Sequence, residues 1–398
     1  MRTAGSARAG WRGVVAGSAL TLVTVVAAAA GGSGAGAATT ADMPCGRAVG
    51  PFSVHGTQVL GQGGQVFVSY GITVSGPQWP NWRDFVRSDL EIIAATADDW
   101  CANTVRLQLS QDSLLGPDGT SFDQAYLTAI ESEVALAEDY HLVVVLNDNT
   151  EFAPRATWRF QHGPTAATET FWKDLAGLYG NDPQVIFDLF NEPRTYAAGM
   201  SQAQEWRLWL NGGHFDGAFY PFGMAQLAGY VRNTLGARNL FWVQGPDYSY
   251  SLAGMVSNGA VLKVSGVVYA VHHPIGPQDT ATWEADFGYL VTTGVAPVVE
   301  GEWTNYEPTP TLKPTWQRTS CWPDAPVTVP EFLQYLAARG IGLSAYQLRR
   351  GFLIKSDGNL ADPTTINPQT WSCLSEDEPQ PGQGAGSLLM AWFRQHNS

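Results

Sequence analysis

Eight short apolar runs recur between residues 66 and 346, and stretches with helical spacing lie between them. The runs fall at 66–72, 103–109, 142–146, 185–190, 239–243, 266–271, 296–299 and 340–346. Residues 84–100, 171–179, 224–235 and 331–338 space apolar side chains at three and four, and 388–393 completes the series. Unbroken apolar runs of this length suit strands buried on both faces, and parallel strands need crossover helices. Eight such units are what a (β/α)8 barrel, an α/β TIM barrel, requires. The competing arrangement is an open doubly wound sheet. The count of eight weighs against it, as does the lack of a Gly-x-Gly-x-x-Gly phosphate loop after the first strand. No fixed-period repeat is visible and no linker marks a second domain. Residues 38–398 are therefore expected to form one barrel domain. With 44% hydrophobic and 15% charged residues, the 398-residue chain has the apolar material for such a core, and a disordered chain is excluded.

Residues 1–37 read as a secretory signal peptide. Arg2, Arg8 and Arg12 form a basic start without an acid, residues 14–30 are mostly apolar, and Ala35-Gly36-Ala37 suits a signal peptidase. An uncleaved anchor is the other reading. Gly17, Ser18, Thr21 and Thr24 interrupt the run, which favours cleavage. The mature protein is then expected to be extracellular, without stable membrane association, and monomeric. A formal net charge of −14 disfavours nucleic acid and anionic lipid as partners.

In a parallel barrel the carboxyl ends of the strands face the ligand site, so the residues closing each run carry the chemistry. The second run holds Arg106. The third ends in Asn147-Asp148-Asn149, the fourth in Asn191-Glu192-Pro193 and the sixth in His272-His273. The seventh ends in Glu300-Gly301-Glu302-Trp303, and the eighth holds Tyr346 and Gln347. Two carboxylates on separate strands of one mouth suggest glycosidic-bond hydrolysis. One protonates the leaving oxygen, and the other attacks or activates water.

Residues 171–193, FWKDLAGLYGNDPQVIFDLFNEP, strongly resemble glycoside hydrolase family 5, the retaining endoglycosidases. Residues 222–245, FGMAQLAGYVRNTLGARNLFWVQG, look like the segment that follows in bacterial members. PVVEGEW at 297–303 looks like the family's seventh-strand nucleophile motif, and NTVRL at 103–107 like its second-strand arginine motif. The resemblance covers residues 50–398 and implies a secreted retaining hydrolase of β-linked polysaccharide, endoglucanase-like, needing no cofactor. It makes Glu192 the general acid and base, with its carboxyl raised by apolar surroundings and by the second carboxylate. It makes Glu302 the nucleophile, with the two carboxyl groups about 5–5.5 Å apart. Asn191 would bond the sugar 2-hydroxyl, Arg106 would hold Glu302 ionised, and His272 would partner a sugar hydroxyl or Glu192. Three positions depart from the family pattern. Asn149 stands where a histidine closes the third strand. Pro274 stands where a tyrosine normally orients the nucleophile. Tyr346 stands where a tryptophan normally underlies the reacting sugar.

The same residues admit plainer readings. Arg106 could serve only as an ion-pair partner of Asp188 or Glu300. Glu300 lies two residues before Glu302, so strict alternation puts both on one face and a register error of two would exchange them. A slip of one would put His273 in place of His272, and Asp148 could be a hydrogen-bonder without chemistry. At the level of function, the alternatives are a glycan-binding protein on a catalytically impaired barrel and a metal-dependent hydrolase. No set of metal ligands at a telling spacing supports the second.

Cys45, Cys101, Cys321 and Cys373 are even in number and, outside the cell, can oxidise into any of three pairings. Barrel topology places Cys321 and Cys373 in neighbouring loops at the mouth, beside Trp316, Trp322 and Trp371. It places Cys45 and Cys101 at the opposite end. The expected pairs are therefore Cys45–Cys101 and Cys321–Cys373.

Overall fold

Eight parallel strands close on themselves into a barrel. They are β1 (Tyr70–Val74), β2 (Thr104–Leu109), β3 (Val143–Asp148), β4 (Val185–Asp188), β5 (Phe241–Gln244), β6 (Val267–Val271), β7 (Val298–Trp303) and β8 (Gly342–Ala345). Each pairs with its neighbour in sequence, and β8 pairs back onto β1 with Leu343 opposite Tyr70. The computed structural model describes residues 44–116, 119, 121–149, 162–195, 199–215, 218–220, 222–273, 279–303, 307–308, 319–320, 325–349, 352–354 and 386–397.

The runs are largely apolar because both strand faces are covered. In β3, Val144 and Leu146 join the layer between barrel and helices, while Val143 and Val145 belong to a second cluster inside the barrel. Ile186, Trp242, Val268, Ala270 and Val299 share that inner cluster. The outer layer is held by helices Val86–Asp98, Gln124–Asp139, Ala166–Tyr179, Gln202–Asn211, Ala325–Ala337 and Gly386–His396, among others. Their ends follow ordinary capping rules. Asp123 accepts from the Ala125 and Tyr126 amides, and Ser201 with Gln204 forms a reciprocal capping box.

The expected strand at 66–72 divides in two. Val66–Phe67 joins a small antiparallel sheet with Ser53–His55 and Gln58–Leu60, and the barrel strand begins only at Tyr70. Phe52 and Phe67, with ring centroids 4.6 Å apart, cluster with the inner barrel residues and plug its amino end. The helices Gln124–Asp139 and Gln202–Asn211 were not anticipated. In the first, buried Glu133 interrupts an otherwise helical apolar pattern.

Cys45 and Cys101 are joined by a disulfide, as expected. The Asn397 side-chain amide is fastened there, donating to the carbonyls of Cys45 and Cys101 at 2.8 and 2.7 Å. Cys321 and Cys373 lie outside the described residues, as do the three tryptophans named with them.

Candidate active site

Above the apolar plug, the barrel interior turns polar toward the carboxyl ends of the strands. Val105, Leu107 and Leu109 take the outer face of β2, which leaves Arg106 and Gln108 pointing inward. Arg106 is fully buried and spends three guanidinium nitrogens on three partners. Nε donates to Asp188 Oδ2 at 2.9 Å, Nη1 to Glu302 Oε2 at 2.8 Å and Nη2 to Asn191 Oδ1 at 2.6 Å. Burial alone would drive its proton off, but Asp188 and Glu302 outweigh that cost and hold the guanidinium firmly charged. The ion-pair and active-site readings of Arg106 thus describe one arrangement, and its carboxylate partners are Asp188 and Glu302.

Gln244, at the end of β5, locks the fourth strand from the other side. Its Nε2 donates to both oxygens of Asp188 at 2.9 and 3.0 Å and to Asn191 Oδ1 at 3.2 Å. Its Oε1 accepts the Glu192 backbone amide at 2.7 Å. Asn191 Oδ1 is thereby saturated from behind, so its amide NH2 is the end left to meet a ligand. Glu192 itself sits in the left-handed backbone region at φ 44°. A non-glycine residue held there by a defined hydrogen bond is the mark of a position fixed by its surroundings.

The end of β7 corrects the alternation argument. Val299 lies in the inner cluster and Val298 in the outer one, so Glu300 points outward. It is fully buried, and its Oε1 accepts the His273 amide at 2.8 Å. Burial holds its carboxyl well above the usual range; the His273 amide opposes this and Glu302 reinforces it. Gly301 faces inward: a Cβ there would meet Ala270 Cβ at 3.2 Å and His272 Nε2 at 3.3 Å. By strict period two Glu302 would follow Glu300 outward. Instead the pairing with β8 shifts register between Glu300 and Trp303, and Glu302 turns into the mouth, where Arg106 and Gln108 bind it. A bulge of this kind re-aims a side chain without moving the rest of the strand. Glu300 and Glu302 therefore do not share a face.

The mouth brings together Arg106, Asn191, Glu192, His272 and Glu302. His272 Nδ1 lies 3.0 Å from Glu192 Oε1, and a ligand atom of each of Glu192, His272 and Glu302 lies within 4.8 Å of the other two. His273 turns away and bonds Asp286 Oδ2 through Nε2 at 2.9 Å. Asp148 also points outward, accepting from Gln111 at 2.7 Å. Asn149 is buried at the end of β3, its backbone amide on Leu109 O at 2.8 Å, and its Oδ1 has no partner among the described residues. Tyr346 follows β8, half-buried, with its ring edge-on to Phe352. Pro274 lies outside the described residues. Sequence reasoning names Asp188 as an ion-pair partner of Arg106, but it misses Gln78, Gln108 and Gln244. Their signal was a polar residue at an inward position of a strand, or beside one, in an otherwise apolar run.

Glu192, His272 and Glu302 are of the donor types that can hold a divalent metal. The occupants of their atoms argue otherwise. Glu302 Oε2 already takes donors from Arg106 and Gln108, and the Arg106 cation lies 2.8 Å away. A second cation would face repulsion there. The arrangement suits acid–base and nucleophilic chemistry between two apposed carboxylates instead.

Barrel and mouth together define a (β/α)8 protein with two apposed glutamates at the carboxyl ends of its strands. The family model described as cellulase (glycosyl hydrolase family 5) matches residues 62–350. The chain belongs to that family. Endoglucanase 5 of Pectobacterium carotovorum is 26% identical over 149 residues, covering 36% of this chain and 26% of that protein. An endoglucanase of Paenibacillus polymyxa is 30% identical over 164 residues, covering 36% and 40%. The matches thus span well under half the length of these relatives. A β-glucanase of Saccharophagus degradans solved with cellotetraose superposes with a TM-score of 0.56 at 18% identity, over 89% of this chain and 94% of that one. The alkaline cellulase K catalytic domain gives 0.58 at 15%, over 88% and 95%.

Proposed function

We propose that the protein is an exported retaining endoglycosidase that cleaves a β-linked polysaccharide of the glucan type by double displacement. The observation that carries this is the apposition of Glu192 and Glu302, with oxygens within 4.8 Å and different partners on each. That separation suits direct attack by a carboxylate, since an inverting pair needs about 6.5–9.5 Å to admit a water. Glu302, bonded to Arg106, is the nucleophile. Glu192, bonded to His272, is the acid and then the base. In the first step Glu302 bonds to the anomeric carbon, the bond from that carbon to the leaving oxygen breaks, and Glu192 gives its proton to that oxygen. In the second, water bonds to the carbon and gives its proton to Glu192, and Glu302 leaves as a carboxylate. Asn191 holds the neighbouring hydroxyl, and Asn149 and Tyr346 line the same subsite. Tyr248 and Tyr250, stacked with centroids 5.7 Å apart and partly exposed, offer aromatic faces nearby on the loop after β5. The basic, apolar and small-residue pattern of residues 1–37 supports export.

The test is a reducing-sugar assay of residues 38–398 on a panel of β-glucan, mannan and xylan, beside Glu192→Gln and Glu302→Gln. Each variant should lose at least about a hundredfold of the activity on the glucan. Full activity in either variant would refute the assignment. A wild type that cuts nothing, yet whose tryptophan fluorescence shifts with glycan, would favour a binding protein instead.

A further inference from the structure

We infer that Gln108 is a second hydrogen-bond donor that selects which oxygen of Glu302 attacks, and that Gln78 is a positioning residue acting through Gln108. The inference rests on the reading of Glu302 as nucleophile. Gln108 Nε2 donates to Glu302 Oε2 at 2.6 Å, the same oxygen that Arg106 Nη1 reaches at 2.8 Å. No described residue donates to Oε1. The two donors fix the carboxylate plane and leave the Oε1 lone pairs to the reacting carbon.

A glutamine amide can present either end, and only its NH2 is attractive to a carboxylate. Gln78 decides the matter from behind. Its Nε2 donates to Gln108 Oε1 at 3.0 Å, so the oxygen of Gln108 is drawn away from Glu302. Both glutamines are buried, at 4% and 1% exposure, where an end-for-end turn would leave two donors facing each other and two acceptors facing each other. Gln78 sits in the turn after β1 and Gln108 near the end of β2, so the chain of bonds runs from the first strand through the second to the seventh. When the ester forms through Oε1, Oε2 becomes its carbonyl oxygen. When the ester breaks, the electron pair returns to the carboxylate, and Gln108 with Arg106 receives that charge. Loss of the donor should therefore slow release of Glu302 from the sugar.

The variants are Gln108→Met, Gln78→Met and Gln78→Glu in residues 38–398, assayed on soluble β-glucan and on 4-nitrophenyl β-cellobioside beside Glu302→Gln. Circular dichroism and melting checks that each is folded. Gln108→Met should lower kcat ten- to a hundredfold with little change in KM, by the scale of one lost charge-stabilising donor. The acidic limb of its kcat/KM profile should move to higher pH. Gln78→Met should lower kcat less. Gln78→Glu should be worse than Gln78→Met, because an acceptor at 78 draws the Gln108 NH2 away and turns its oxygen onto Glu302. A merely structural role would not rank the two Gln78 variants by donor and acceptor character. Glutamine variants within threefold of wild type, with an unmoved pH profile and an inactive Glu302→Gln, would overturn this inference alone. An active Glu302→Gln would overturn both it and the function above.

Discussion

The two walls of the mouth are built on different terms. On the wall of β2, β4 and β5, Arg106, Asp188, Asn191 and Gln244 satisfy one another inside the barrel, and Glu192 hangs from Gln244 by its backbone. Regular strands deliver Arg106, Asp188 and Gln244, and the turn after β4 delivers Asn191 and Glu192. On the wall of β6 and β7, the strand breaks register to deliver Glu302, and the donors that hold it reach across from β2. One wall is thus prebuilt, and the nucleophile is brought to it. A fully bonded wall can fix geometry without substrate, which is the condition for electrostatic stabilisation to act without reorganisation.

Removing the group shared by both walls should have the largest effect. Arg106→Met leaves Asp188 buried without its cation and Glu302 without its main donor. We expect a loss of about 3–5 kcal/mol of stability, the scale for one partner removed from a buried pair, measured by urea unfolding. Activity on the panel should fall at least as far as in Glu302→Gln. Unchanged stability would mean that the prebuilt wall does not depend on its cation.

An intermediate effect should come from closing the gap that β7 leaves beside His272. Gly301→Ala places a methyl 3.2–3.4 Å from Ala270 and the His272 ring, so the ring must give by a few tenths of an ångström beside Glu192. A roughly tenfold fall in kcat is expected, the lower end of what a misplaced catalytic group costs, with little change in melting temperature. A wild-type kcat would show that the β6–β7 wall tolerates displacement.

The smallest effect should come from Glu300→Gln, two residues from the nucleophile. Its amide oxygen still accepts the His273 N–H, and burial already favours the uncharged acid. Activity should stay within about threefold, far from the loss expected of Glu302→Gln. The sign of its pH effect follows from the raised carboxyl. A folded-state value above the unfolded one gives stability that is complete below the ordinary carboxylate range and is lost as pH rises toward the folded value. The glutamine carries no such loss, so its melting temperature should gain on wild type as pH rises from 5 to 8. A constant gap across that range would refute the raised carboxyl.

Much of the mouth was legible because it sits where buried strands end. Asn191, Glu192, Arg106 and His272 follow or interrupt apolar runs; regular alternation aims Arg106 and His272, while Asn191 and Glu192 are aimed by the turn after β4, where Glu192 takes φ 44°. Glu302 was named for its motif, yet the alternation rule gave it the wrong reason, since that rule pairs it with Glu300. The shift lies in backbone pairing with β8, to which side-chain pattern is blind. Gln78, Gln108 and Gln244 were missed because a glutamine in a strand says nothing until its partner is known. The division at 66–72 was hidden because apolar residues serve a plug sheet and a barrel strand equally well.

The sequence by itself determined the barrel, through eight apolar runs that can bury both faces only behind crossover helices. It also determined which acids could reach the mouth, because a parallel barrel sends its strand ends there. The tertiary structure alone decided that Glu302 faces inward while Glu300 is buried outward, and which oxygen of Glu302 is held. Those outcomes depend on register between strands and on hydrogen bonds among residues far apart in the chain. Neither is encoded in local spacing.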